Sequence, residues 1–251
     1  MNRNCCLIYC TVLSFFLAFP TSSLAKPLKV QIKLLEPWGY YSSINQNSKE
    51  FTGIWIDIIK LYAKKTGIEF QISLAPQARV IQNLESGKTD MSFLAKSEEE
   101  NPNLVYVAHM FSIATIIVSL NEKKIETYDD LYRTRIGIVR GSKNDPMFDA
   151  DGALFKQAYR DQKIIVNMLF QKRLDAIVGD SISIPYLLNK QEPDYKSYNT
   201  FTLRKVPVWI QLSKIASSLD QTGLLIKANE ELKSSGEYAR IIKKYADYTL
   251  D

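Results

Sequence analysis

The side chains able to do covalent chemistry are few and poorly placed for it. The sole histidine, His109, follows the strand-like run Val105-Tyr106-Val107 and reads as a hinge or core residue rather than a general base. All three cysteines, Cys5, Cys6 and Cys10, lie within the first ten residues. There is no Gly-x-Ser-x-Gly elbow, no His or Cys cluster at metal-ligand spacing, no Asp-rich calcium loop and no phosphate-cradling glycine loop. No cofactor, metal or catalytic residue is expected. What remains suits recognition: an aromatic loop over Trp38–Tyr41, a small-residue turn at Gly141-Ser142, and Asp180 just past an apolar strand-length run. A carboxylate at the carboxyl end of a strand sits where open α/β sheets bind ligands.

The elements that must position these residues carry one pattern twice. Residues 84–93 read Leu-Glu-Ser-Gly-Lys-Thr-Asp-Met-Ser-Phe and residues 169–178 read Leu-Phe-Gln-Lys-Arg-Leu-Asp-Ala-Ile-Val. Each is a helix end, a short basic turn, and an Asp (Asp90, Asp175) opening an apolar run. Gly87 supplies the left-handed residue that commonly ends a helix. A helix-to-strand junction repeated 85 positions later suggests two lobes of related build, with a cleft between them where small ligands bind. Two ordinary junctions in one larger sheet are the alternative.

Around that repeat, periodicity predicts strands at Leu28–Leu35, Ile68–Leu74, Met91–Ala95, Val105–Val107, Ile113–Leu120, Arg135–Val139, Ile177–Val178 and Val206–Leu212. It predicts helices beginning near Ile54 and Arg79, a capped turn at Thr127–Asp130, a helix from about Leu154, and helix over Ser218–Tyr248 broken at Ser234-Ser235-Gly236. Alternating strands and helices argue for α/β layers with largely parallel sheets.

The N-terminus reads as an export signal: Arg3, an apolar stretch Cys5–Phe19, then Ser23-Leu24-Ala25 as a small-x-small cleavage site. Cleavage there leaves about 226 residues without a thiol, which suits an oxidising compartment. Cys10 lacks the setting of a lipoprotein cysteine, so a free periplasmic protein is expected. Of 32 basic and 27 acidic residues, Arg3 falls in the signal and the rest are interspersed. That gives no footing for nucleic acid.

In order along the chain, seven landmarks resemble the solute-binding proteins of the polar amino-acid ABC uptake family (solute-binding protein family 3). They are Pro37-Trp38-Gly39-Tyr40; Gly53-x-x-x-Asp57; Leu84-x-x-Gly87-x-x-Asp90; Asp130-Leu131; Ile136-Gly-Ile-Val139; Gly141-Ser142; and Leu174-Asp175-Ala176-Ile177-x-x-Asp180. The resemblance implies an α/β, type II periplasmic-binding-protein-like fold: two α/β lobes joined by two crossing strands. Its divisions here are 1–25 as signal peptide, 26–119 plus 213–251 as lobe 1, and 120–212 as lobe 2.

It also implies ligand-binding roles. The acceptor of a ligand's ammonium group falls on Asp180, which could equally N-cap a helix over Ser181–Leu188. Backbone N–H groups at Gly141 and Ser142 would meet an anionic or carbonyl oxygen, unless they form a plain turn. The stacking aromatic falls on Trp38, Tyr40 or Tyr41, one of them expected in the core; where a second would stand the chain has Ile54, with Trp55 beside it. The chain departs from the family at the carboxylate anchor. The usual Thr-x-Glu-Arg block is Ser97-Glu98-Glu99-Glu100, so Glu100 holds the arginine position. Removing such an anchor costs about 2–5 kcal/mol. Either Arg79 supplies the cation from the start of the helix preceding Gly87, or it is merely solvated; or Glu100 and Asp180 together favour a cationic or polyhydroxylated solute.

The expected function is capture of a small polar, amino-acid-like or cationic solute by a monomer, with delivery to a membrane ABC permease. A sensor for a membrane receptor, or a cyclohexadienyl-type dehydratase using Glu100 as acid, are the alternatives.

Overall fold

A computed structural model describes residues 26–42, 50–96, 99–120, 122–193, 198–216 and 219–246; the expected signal peptide lies outside them. Leu28–Lys33 (β1) alternates, sending Leu28, Val30 and Ile32 into an apolar core and Lys29, Gln31 and Lys33 to the other face. A short hairpin of Tyr40–Tyr41 (β2) and Phe51–Thr52 (β3) follows, then α1 over Ile54–Thr66. Gly53 is required at its entry. Its φ is +124°, and a Cβ would fall 2.6 Å from the Pro37 carbonyl oxygen. The first N–H groups of α1, on Ile54 and Trp55, donate to the Pro37 and Trp38 carbonyls at 2.9 Å each, fastening the aromatic loop to the helix start.

Phe70–Ala75 (β4), Gln77–Glu85 (α2) and Met91–Ala95 (β5) complete a first βαβαβ run. The long strand Leu104–Leu120 (β6) leads into a second: Ile136–Val139 (β7), Pro146–Ala150 (α3), Lys156–Tyr159 (β8), Gln162–Phe170 (α4) and Ala176–Asp180 (β9). Ser183–Gln191 (α5) precedes the returning strand Tyr198–Ser213 (β10), and Thr222–Ser234 (α6) and Glu237–Tyr245 (α7) end the described chain. In each run the first strand lies, in parallel, between the other two: β1 between β4 and β5, β7 between β8 and β9. β6 and β10 pair antiparallel and bridge the runs, β10 through β5 and β6 through β9. One sheet results, ordered β4-β1-β5-β10-β6-β9-β7-β8.

The repeated sequence pattern is a repeated structure. Asp90 Oδ2 accepts from the Lys29 N–H at 2.8 Å while the Asp90 N–H donates to the Lys29 carbonyl at 2.9 Å. Asp175 does the same with Arg135, at 2.8 and 2.9 Å. Each Asp clips its strand to the start of the neighbouring parallel strand. The turns match as well: Gly87 and Lys172, each three residues after the leucine, have φ of 69° and 57°.

α6 and α7 belong with the first run. Tyr62 of α1 meets the Tyr238 hydroxyl at 2.7 Å and donates to Asn229 Oδ1 at 3.2 Å. Asp57 accepts from Lys244 and Tyr245 at 2.8 and 2.9 Å.

Three expectations are corrected. The helix placed from about Leu154 is instead β8 and then α4, and the turn-rich stretch before it holds α3. Asp145 caps α3 by accepting from the Phe148 N–H, with Pro146 in its first turn. Asp161 caps α4, and the intervening edge strand β8 has no alternating apolar face to announce it. Val105–Val107 and Ile113–Leu120 are one strand. Val206–Leu212 is the second half of β10, whose register slips between Val208 and Trp209 and between Ile210 and Gln211.

Candidate functional site

In each run the chain leaves its first strand toward one neighbour and returns on the other side, so the connections reverse direction between β1 and β5 and between β7 and β9. Ligands bind outside the carboxyl ends of strands at such switch points. Those ends carry Lys33 on β1, Gly141 and Ser142 after β7, and Asp180 on β9.

Asp180 holds several donors. Its Oδ1 accepts from the Ile182 and Ser183 N–H groups at 3.2 and 2.7 Å, satisfying the start of α5. The same oxygen accepts from Trp38 Nε1 at 3.2 Å, 142 positions away and in the other run. The cap of α5 and the contact with Trp38 thus share one carboxylate oxygen. Beside it, Ile182 is fully buried in the core built on α1 and β1.

Trp38 is 4% exposed. Its ring stacks on Trp55 at 4.9 Å, and Trp55 on Phe93 at 4.7 Å. The aromatic column therefore runs inward through the first half, with only the indole N–H presented across the gap. Trp55, beside Ile54, stacks on Trp38 inside this core, and both residues are buried. Tyr40 is half-buried and hydrogen-bonded to Tyr186 of α5, which, after burial, helps push the Tyr186 hydroxyl well above its ordinary pKa. Tyr41 is exposed and leans on Phe51.

Sequence reasoning missed a second crossing. Glu36 is buried, and its oxygens accept from Lys163 of α4 at 2.7 Å and Lys190 of α5 at 2.6 Å. Burial works against its ionisation, but the hydrogen bonds and charges of the two lysines outweigh that and hold its carboxyl below the usual carboxylate range. Lys33 was missed too. Removal from water pulls its pKa down, with attraction from Asp180 offsetting part of the effect. Its alternation with Lys29 reads as an ordinary solvent face, and only the cover over the strand end reveals otherwise.

The remaining predicted residues stand elsewhere or are occupied. The N–H and hydroxyl of Ser142 both donate to the Val139 carbonyl, at 3.0 and 2.7 Å, closing the turn that Gly141 enters at φ +73°. Arg79 is exposed in the first turn of α2. Glu100, its side chain 72% exposed, pairs with Lys96 at 2.9 Å, and that partner keeps its carboxyl below the ordinary range. His109 lies on β6; its Nδ1 faces Lys233 Nζ at 3.2 Å, and burial followed by that cation lowers its pKa.

Residues 35–248 match the family of bacterial extracellular solute-binding proteins, family 3. The chain belongs to that family. Family 3 is one of solute-binding proteins rather than enzymes. Among its similar relatives, the probable histidine-binding protein of Campylobacter jejuni is 27% identical, over 81% of this chain and 79% of its own. The histidine-binding periplasmic protein of Escherichia coli K12 is 25% identical, over 95% and 96%. In structure the chain resembles ArgBP of T. maritima, with a TM-score of 0.69 at 21% identity over 87% and 94% of the two chains. That likeness is one of fold, the two-lobed type II periplasmic-binding-protein architecture. No helix among the described residues is long and apolar enough to cross a membrane.

Proposed function

We propose that this protein captures a small amino-acid-like solute between its two α/β halves in the periplasm, after cleavage of residues 1–25, and delivers it to an ABC permease. Residues 26–119 with 213–251 form one lobe and 120–212 the other, although the pairing of residues 115–119 with β9 draws the seam inward along β6. The single observation that carries the reading is the meeting of Trp38 and Asp180 at 3.2 Å. A wall from each half converges at the strand ends where α/β sheets take ligands. Histidine-binding relatives favour an amino acid over a sugar. Binding works through closure, because a solute that touches both walls only when they meet shifts the open–closed population by that difference in affinity.

Thermal-shift screening of amino acids, amines, sugars and organic acids tests this. A ligand at a hundred times its dissociation constant adds about 2.7 kcal/mol to stability, readily seen in the melt. Small-angle scattering should show compaction with any hit. A panel without a single stabilising compound would refute the proposal.

A further inference from the structure

Lys33 is a cation in search of an acceptor. It ends β1 on the same face as Gln31, whose amide oxygen accepts from Asn83 of α2 at 2.9 Å. Two strand residues advance about 6.6 Å, and one turn back along the oppositely directed helix covers about 5.4 Å. Lys33 is thereby brought level with the first turn of α2. That turn has no side-chain cap and no acidic residue, and it includes Arg79; the Arg79 and Val80 N–H groups donate to the Pro76 carbonyl, so the helix start adds positive potential rather than relieving it.

Neighbouring lysines at the crevice are answered. Lys96 pairs with Glu100, and Lys163 and Lys190 share Glu36. Among the described residues Lys33 has no hydrogen-bond or ion-pair partner; the one charge acting on it is Asp180, across the gap. Oδ1 of Asp180 is already engaged by three N–H donors. An ammonium carries three donors, and with the side chain half-buried leaving them without protein acceptors is costly. Its pKa is lowered accordingly.

We infer that Lys33 is the carboxylate anchor of the bound solute, with Asp180 receiving its cationic end. The inference rests on the solute-binding reading above and narrows it to zwitterions of the amino-acid class. It also accounts for Glu100 at the usual arginine position. The anchoring charge has moved from the loop after β5 to the end of β1, one strand over in the sheet. The carboxylate would meet the Lys33 ammonium at the carboxyl end of β1.

The test uses L-histidine and L-arginine, with histamine and agmatine as their decarboxylated counterparts, titrated calorimetrically into the full mature protein. Lys33→Met keeps the length of the side chain and removes its charge. Without ligand it should melt at or above the wild-type temperature, because an unanswered charge has gone, and this also verifies its fold. An amino acid that binds wild type should lose at least about thirtyfold in affinity to Lys33→Met, with Lys33→Arg retaining more. Its decarboxylated counterpart should bind wild type far more weakly. Equal binding of amino acid and amine, or Lys33→Met within threefold of wild type, would overturn the Lys33 assignment while leaving solute capture intact. Wild type silent toward all four compounds would instead strike the amino-acid reading, and the anchor with it.

Discussion

One oxygen of Asp180 caps α5 and meets Trp38, and two substitutions separate the cap from the proposed ammonium site. Asparagine is as good a helix cap as aspartate, so Asp180→Asn should leave the unfolding midpoint in urea nearly unchanged while weakening any solute that presents an ammonium group. Asp180→Ala removes the acceptor of the Ile182 and Ser183 N–H groups and should also lower stability by about 1–2 kcal/mol. If Asp180→Asn binds every hit as tightly as wild type, the residue is only a cap. The cap was legible in the sequence and the proposed ligand role was raised beside it, since an acidic residue after an apolar strand and before a helix suits either. The neighbouring cation was not. Lys33 looks like any outward residue of an alternating strand, and nothing local reports that folding covers the strand's end.

At the scale of elements, the twice-written junction was the most legible feature of the chain, and the structure gives it a common mechanism. An aspartate clips two parallel strands after a left-handed turn. The two turns differ in one respect that predicts opposite responses. Gly87→Ala forces a Cβ onto a backbone at φ 69°, 3.2 Å from Ile215, and should cost about 1–2 kcal/mol. Lys172 already bears that strain at φ 57°, so Lys172→Gly should leave stability unchanged or raise it by up to about 1 kcal/mol. Thermal melts of the two variants check this, and equal destabilisation by both would mean the turns are not equivalent. The segment between Asp145 and Phe170 was misread because its signals are caps rather than periodicity. Asp145 and Asp161 each start a helix, and the four-residue strand between them is too short and too polar to show a pattern.

Across the whole molecule, the halves are held by contacts that no sequence pattern announces. Glu36 lies 127 and 154 positions from its two lysines. Its charge favours the arrangement seen here, in which β1's following loop meets α4 and α5. Because the pairing lowers its pKa, this contribution is complete above the ordinary carboxylate range, about 4.3, and fades as pH falls through the lowered value. Glu36→Gln should therefore make the scattering envelope larger at pH 7 and remove the acid-dependent expansion expected of wild type below the ordinary carboxylate range. Identical radii for the two proteins at both pH values would show that the lysines do not hold the halves together. The lysine ends are 62% and 54% exposed, so added salt should weaken the wild-type contact and leave Glu36→Gln indifferent. A different consequence follows from the partners of α1. Its Asp57 waits for Lys244 and Tyr245, and its Tyr62 for Asn229 and Tyr238. As the polypeptide emerges from its N-terminal end, the half that starts first must finish last. The contiguous middle is free to mature while its elder neighbour stands incomplete, and a chain stopped short of α6 would leave that neighbour with an orphaned tyrosine hydroxyl at its heart.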